Sequence, residues 1–401
     1  MPDALINPNP IFFSLFILYG FCFLVQMAFY WGIFLRVSLI RDPGLASPNS
    51  ASLRFGIRDN ISPDLVSRIS YRATGVSVVI CAHNEYKHLQ ANLPLILEQD
   101  YPLYEVVVVD HASDDDTSFL LSDLAEKYKH LKVVSIRKDL NFFTGKKFPL
   151  SIGIKSARHE IILLTDADCR PASNQWVNMM QESFTGDKEI ILGYGPYEKR
   201  KGLLNALIRF DTVHVAIQYL SFAMAGIPYM GVGRNLAYKK SLFYQQKGFI
   251  SHYRINSGDD DLFINRVARK KNTGVQRIPE SFTYSDPKTS VGKWFTQKRR
   301  HMTTGTHYRF VHKFLLGLYG AAQLLFWVLL AVLLSLKFSW VVVLGVLLLK
   351  WTSQYIVVGR CMNRLQEKNL IAWIPLLEWI MLLLQIVIAV TNLIVRPRKW
   401  K

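Results

Sequence analysis

The chain has 401 residues, 48 of them basic and 30 acidic, for a net charge of +18, and half of its residues are hydrophobic. A mean hydropathy of +0.14 beside that charge excludes a disordered chain, a disulfide scaffold and a purely soluble enzyme, because the apolar residues must be segregated from the charged ones. The length would hold two to three ordinary domains.

The segregation starts at once. Ile11 to Phe34 carries no charge, and neither does Phe314 to Leu336; both outlast the ~20 apolar residues that cross a bilayer as a helix. The first run does not read as a cleaved signal peptide: its leading segment carries Asp3 and no Lys or Arg, and no small-residue cleavage site follows. Arg36, Arg41, Arg54 and Arg58 come after it, so the positive-inside rule predicts an outer N-terminus and a cytosolic middle region. Residues 1–36 are therefore assigned to an N-terminal transmembrane helix. Residues 37–75, mixed in Pro, Gly, Ser and Arg, are assigned to a linker along the membrane surface. Cys22, Cys81, Cys169 and Cys361 form no CxxC pair; Cys81 and Cys169, in the middle region, read as reduced core thiols and not as a metal cluster.

From residue 76 the pattern alternates. Val76–Cys81, Glu105–Val109, Leu131–Ile136 and Ile161–Thr165 read as strands. His88–Glu98, Thr117–Tyr128 and Ser151–Ala157 have helical spacing. Strands alternating with helices predict βαβ units and a mainly parallel sheet, and continuous apolar strands predict one covered on both faces. Each strand runs into a polar cluster: His83-Asn84-Glu85, Asp110-His111-Ala112-Ser113, and Asp166-Ala167-Asp168. In an open α/β sheet ligands bind outside the carboxyl ends of the strands, so these clusters are expected at one edge.

Residues 201–312 are less regular. Leu203–Met224 reads equally as a membrane-surface helix or as one packed on the sheet, and Asp261–Lys271 as a helix with Asp259, Asp260 and Asp261 at its N-terminal end, where the dipole favours negative charge. Beyond residue 313, Phe314–Leu336 and Phe338–Val358 predict a hairpin of spans, with Lys350 interrupting the second. Ile371–Val395 holds Pro375 and Glu378. As a further span it leaves the basic tail from Arg396 outside, against the positive-inside rule; the alternative is a re-entrant or interfacial helix. The basic excess at Arg360–Lys368 and Arg396–Lys401 reads as a face on anionic headgroups, with no nucleic acid as partner.

Asp166 and Asp168, one residue apart after a buried strand, suit a hard divalent cation that leaves positions open to phosphate oxygens. With VSVVICAHNE, VVVVDHASDDDT, GKKFPLSIGIKSA, IILLTDADCRP, GVGRNLAYKK, GDDDLF and WFTQKRRH in this order, the chain resembles the family 2 glycosyltransferases over about residues 75–305. The flanking spans resemble those of the membrane-embedded members. The resemblance implies an α/β GT-A fold, Rossmann-like with a mainly parallel sheet, in a cytosolic domain. One N-terminal and two to three C-terminal transmembrane helices would anchor it, with 76–200 as the nucleotide-sugar half, 201–312 as the acceptor half, and 313–401 as the membrane region.

Residue by residue, the resemblance implies that Ala82 and Glu85 hold the nucleotide, that Asp110 lies beside the base and ribose, and that Lys146 is near the nucleotide with Lys147 a solvated neighbour. It implies that Asp166 and Asp168 form the metal pair for Mg²⁺ or Mn²⁺, with Asp166 also facing the donor, and that Asp259 is the general base, although Asp260 competes for the role and Gly258 replaces the usual Glu. Gln297 and Arg300 match the QxxRW signature, with His301 in place of Trp, and sit at the acceptor end and the diphosphate. Trp294 is either an aromatic platform or a bilayer contact. Gly231 and Gly233 would let the backbone approach a sugar, or simply form a tight turn. The expected activity is inverting transfer of a hexosyl or N-acetylhexosaminyl group from a nucleotide-diphosphate sugar to a lipid-linked or polysaccharide acceptor. It would occur at the cytosolic face of a bacterial inner membrane, among membrane lipids. The alternatives are a processive synthase with a channel and an inactive scaffold in an export complex.

Overall fold

Seven strands form the central sheet of the computed structural model, which describes residues 10–39, 74–136, 145–253, 255 and 257–395. Most of the 37–75 linker, with Arg41, Arg54 and Arg58, and the tail from Arg396 lie outside the described residues. The strands are β1 (Val76–Ala82), β2 (Tyr104–His111), β3 (Leu131–Ile136), β4 (Ile161–Leu164), β6 (Ile190–Leu192), β7 (Leu236–Lys239) and β8 (Thr273–Val275), in the order β3-β2-β1-β4-β7-β6-β8. β5 (Cys169–Pro171) pairs with β9 (Thr283–Ser285) in a separate ribbon. β1 is parallel to both β2 and β4, and β2 to β3; only β7 runs antiparallel to its neighbours. The register sets Ala82 opposite Asp110, so the ends of β1, β2 and β4 open on one edge, as the polar clusters predict.

Helices cover both faces: α1 (Pro10–Met27) precedes the sheet, and α2 (Tyr86–Leu97), α3 (Thr117–Lys127), α4 (Lys147–Ser156) and α5 (Trp176–Glu182) alternate with its strands. α4 begins four residues before the predicted start. Pro149, which masks the helical pattern, sits in its first turn, where no intrahelical N–H is needed. α6 (Leu203–Met224) is a core helix: Ile208, Val213, Ile217 and Leu220 are buried with the sheet residues Leu192, Leu236 and Tyr238. After α7 (Lys240–Gln245) comes α8, which is Asp261–Val267 and not 261–271. Its carboxyl end is closed by Arg269, whose N–H donates to Asn272 and whose guanidinium donates to the Arg266 carbonyl. α9 (Val291–Met302) carries the QKRRH run.

α10 (Phe310–Ser335), α11 (Trp340–Arg364) and α12 (Ile374–Ile394) follow. With the N-terminal helix they make, among the described residues, four helices long and apolar enough to cross a membrane. Lys350 does not break α11. It is fully buried and donates to both oxygens of Glu378 on α12, at 3.1 and 2.9 Å, while Gln323 of α10 donates to the same carboxylate at 2.7 Å. α12 has both ends against the sheet domain. At its approach Arg209 of α6 pairs with Glu367 and bonds Asn369; at its last turn Arg299 of α9 donates to Asn392 at 2.8 Å and to the Val395 carbonyl. The helix therefore lies along the domain and returns its carboxyl end to the domain's side. Leu376, Trp379, Leu383, Val387 and Val390 form its exposed apolar stripe.

Candidate active site

The loop after β4 carries Asp166 and Asp168 to a cavity of about 530 Å³. The Lys146 ammonium bonds Asp166 and lies 3.9 Å from Asp259. Burial would raise the Asp166 carboxyl, but Lys146 outweighs it and holds the group below its ordinary range. Burial and the Asp166 charge push Asp168 up. One carboxylate of the pair is thus compensated and the other is not, which is the charge balance a divalent cation would complete. Asp166, Asp168 and Cys169 place ligand atoms within 4.8 Å of one another. Cys169 is an unsuitable member: its sulfur contacts the Ser285 hydroxyl at 3.0 Å, and burial keeps it a thiol. The two carboxylates are the hard oxygen donors that Mg²⁺ or Mn²⁺ requires.

The three consecutive acids separate by what they bond. Asp260 accepts from the Gly233 and Asp261 backbone N–H groups, both at 2.7 Å, and caps α8. Asp261 accepts from Tyr308 at 2.8 Å and from Thr304. Asp259 faces the cavity with Lys146 beside it. Gly258 holds φ +97°, and a Cβ there would meet Leu262 at 2.4 Å, so a glutamate does not fit this position.

Burial, then the Asp259 and Asp261 charges, raise Asp260 to about 7. An unfolded Asp titrates near ~3.9. The folded chain therefore holds the extra proton between those values, and its stability falls as pH rises through that window. In metal-free buffer, the melting temperature of Asp260→Asn relative to wild type should become steadily more favourable from pH 5 to pH 8. A difference that does not change with pH would refute the assignment.

Lys147 is not solvated. It is buried and donates to the carbonyls of His252, Ile255 and Ser257 at 2.9, 2.5 and 2.7 Å, which pins the segment leading to Asp259. Gly231 packs in the core, and Gly233 lies on the cavity wall. A Cβ on Gly231 would press on Leu192 and Leu236, and Gly233 serves Asp260. Trp294 is buried in the cavity wall and not set against the bilayer.

The cavity brings together Lys146, Asp166, Asp168, Asp259, Gln297 and Arg300. Gln297 lies 3.5 Å from the Tyr197 hydroxyl, and the buried Arg300 Nε has no protein partner, leaving an N–H for an anion. Ala82, Glu85 and Asp110 are at the neighbouring strand ends and not on this wall. Ala82 is buried, Glu85 contacts His88 at 2.5 Å, and Asp110 accepts from Ser113 and Ser118 at 3.2 and 2.5 Å. Asn84 and Ala112, beside them, have φ of 57° and 53°, strain of the kind that collects at binding loops.

Arg234 is a residue that sequence reasoning missed. It stacks over Tyr197 at 4.3 Å, donates to Ser285 at 3.2 Å, and faces Asp166 and Asp168. The GRN triplet gave a signal, but only its glycine was used.

Residues 77–247 match the family model described as glycosyl transferase family 2. The probable glycosyltransferase YdaM of Bacillus subtilis is 26% identical over 238 residues, covering 56% of this chain and 54% of the relative. The poly-beta-1,6-N-acetyl-D-glucosamine synthase of Staphylococcus epidermidis is 31% identical over 104 residues, 26% of this chain and 24% of the relative. The chain thus spans about half the length, or less, of these curated relatives. The solved mannosyltransferase PcManGT from Pyrobaculum calidifontis, in complex with GDP-Man and Mn²⁺, superposes with a TM-score of 0.54 at 18% identity, over 94% of this chain and 97% of that one. At that identity the likeness speaks for the fold, a GT-A fold.

Proposed function

We propose, from the family 2 glycosyltransferase domain that residues 77–247 of this chain carry, that the protein moves a sugar from a nucleotide-diphosphate donor to an acceptor hydroxyl reached from the membrane side, with inversion at the anomeric carbon. The observation that carries the reading is the division of labour among the three acids: the fold employs Asp260 and Asp261, while Asp259 is held in the cavity with the Lys146 ammonium 3.9 Å away. Asp259 takes the acceptor proton as the oxygen attacks. Arg300, Arg234 and Lys146 supply positive charge where the diphosphate gains negative charge. Asp166 and Asp168 would hold Mg²⁺ or Mn²⁺, which when bound neutralises diphosphate charge. Ala82, Glu85 and Asp110 lie where a nucleoside would cross the ends of β1 and β2.

Addition of one or a few sugars is favoured over processive synthesis. Among the described residues four helices are apolar enough to cross a membrane, and a secretion channel built from so few spans would need tight packing or partners. The return of α12 to the domain's side supports three crossings, an outer N-terminus and a cytosolic catalytic domain at a bacterial inner membrane. Purified protein with Mn²⁺, membrane lipid extract and a panel of UDP- and GDP-sugars should release nucleotide diphosphate from one donor, and the extract should increase the release. No release from any donor, by protein that still melts cooperatively, would favour the inactive scaffold.

A further inference from the structure

Three cations stand in a row on α9, and they point three ways. Successive residues of a helix are turned by about 100° from one another, so Lys298, Arg299 and Arg300 meet different neighbours. Lys298 donates to both oxygens of Asp211 on α6, at 2.8 and 2.7 Å. Arg299 turns to the last turn of α12. Its Nε donates to the Asn392 side chain at 2.8 Å, and its guanidinium also donates to the Val395 carbonyl. The Asn392 amide donates back to the Arg299 carbonyl at 3.1 Å, so one partner holds both the side chain and the backbone of Arg299. Arg300 faces the cavity, where its buried Nε has no protein partner.

The first two sets of bonds aim the third residue. A helix tied on one side can still roll about its axis; tied on two sides it cannot. α6 belongs to the sheet core, and α12 is an apolar helix from far along the chain. Their grips on Lys298 and Arg299 set the rotation of α9, and with it the direction of Gln297 and Arg300 in the cavity. The start of α9 adds little hold, since Val291, Gly292 and Lys293 are exposed. Burial pushes the Arg300 guanidinium down, while the Asp259 and Asp166 carboxylates pull it back. A charged hydrogen bond is short and directional, so its worth to a diphosphate depends on how rigidly the guanidinium is mounted.

We infer that Arg299 and Asn392 are positioning residues for the diphosphate: their bond makes α12 the mount that aims Arg300 into the cavity. This rests on the transferase reading. It adds α12, which the 77–247 family match does not reach, to the working parts of the site.

Two substitutions in the full-length protein cut the bond and keep the charge of Arg299. Asn392→Ala removes the acceptor, and Arg299→Lys keeps the cation but loses the fork. By calorimetry with Mn²⁺, each should weaken binding of UDP or GDP about tenfold, with kcat falling by a similar factor. The matching monophosphate, which lacks the terminal phosphate, should bind as it does to the wild type. In an Arg300→Gln background neither cut should weaken the diphosphate further, because the residue being aimed is gone. Melting curves accompany each titration. Unchanged diphosphate affinity in either variant that melts cooperatively would overturn the inference. So would an equal loss for the monophosphate, a full further loss in the Arg300→Gln background, or failure of both variants to fold, each of which would make the bond a general brace. Wild-type protein that binds neither UDP nor GDP rejects the transferase reading instead, whereas wild-type binding with insensitive variants rejects this inference alone.

Discussion

Asp259→Asn should lower turnover by ~10²–10⁴-fold, the usual contribution of a positioned carboxylate that accepts a proton in the transition state. The substitution keeps the shape and removes the basicity. Asp259 caps no helix, since that bond belongs to Asp260, so melting temperature and nucleotide affinity should change little. The reaction rate with a fixed donor, read beside the melting curve, checks this. Asp260→Asn serves as the register control. If it shows the large rate defect while Asp259→Asn does not, the base is the neighbouring carboxylate. An equal loss of donor binding in Asp259→Asn would assign the residue to holding Lys146, which lies 3.9 Å from it.

Asp168→Asn should abolish metal-dependent turnover, and EDTA should do the same to the wild type, with Mg²⁺ or Mn²⁺ restoring it. The reason is the asymmetry of the pair. Asp166 already has Lys146 as an ion-pair partner, whereas, despite the Arg234 guanidinium nearby, burial and the Asp166 charge push up the carboxyl of Asp168. Removing it also removes a buried carboxylate that the apo protein holds at a cost, so Asp168→Asn should melt at or above the wild-type temperature in EDTA while losing the stabilisation that added metal gives the wild type. Titration calorimetry with Mn²⁺ and thermal melts decide the point. Full activity in Asp168→Asn would reject the metal assignment.

Much of this site is legible in the chain because its chemistry is local. IILLT followed by DAD, and VVVV followed by DHAS, announce a buried strand and its polar end within ten residues, and the parallel pairing of β1 with β2 and β4 brings those ends together. What escaped is set by long-range packing. Lys147 looks like any surface lysine until the carbonyls of His252, Ile255 and Ser257 close on it. Asp260 and Asp259 are indistinguishable until the Gly233 amide chooses one of them. Gln385 becomes a wall of the active-site cavity only because α12 lies back along α6 and α9. Hydropathy reports that α12 is apolar, and its direction follows from hydrogen bonds made at its two ends.

The Lys350–Glu378 pair also has a consequence for how the chain is made. Ribosomes deliver α11 before α12, and a lysine at the centre of a helix costs ~2.5–3.5 kcal/mol when the insertion machinery passes it into lipid. Its carboxylate partner is 28 residues further on, so α11 emerges with its charge uncompensated. Gln323, already made on α10, offers an amide to the same centre. In a chain inserted in a bilayer, the buried Lys350 charge would stay without its carboxylate partner until Glu378 of α12 arrives. A chain ending before Ile374 would leave Lys350 without its carboxylate partner.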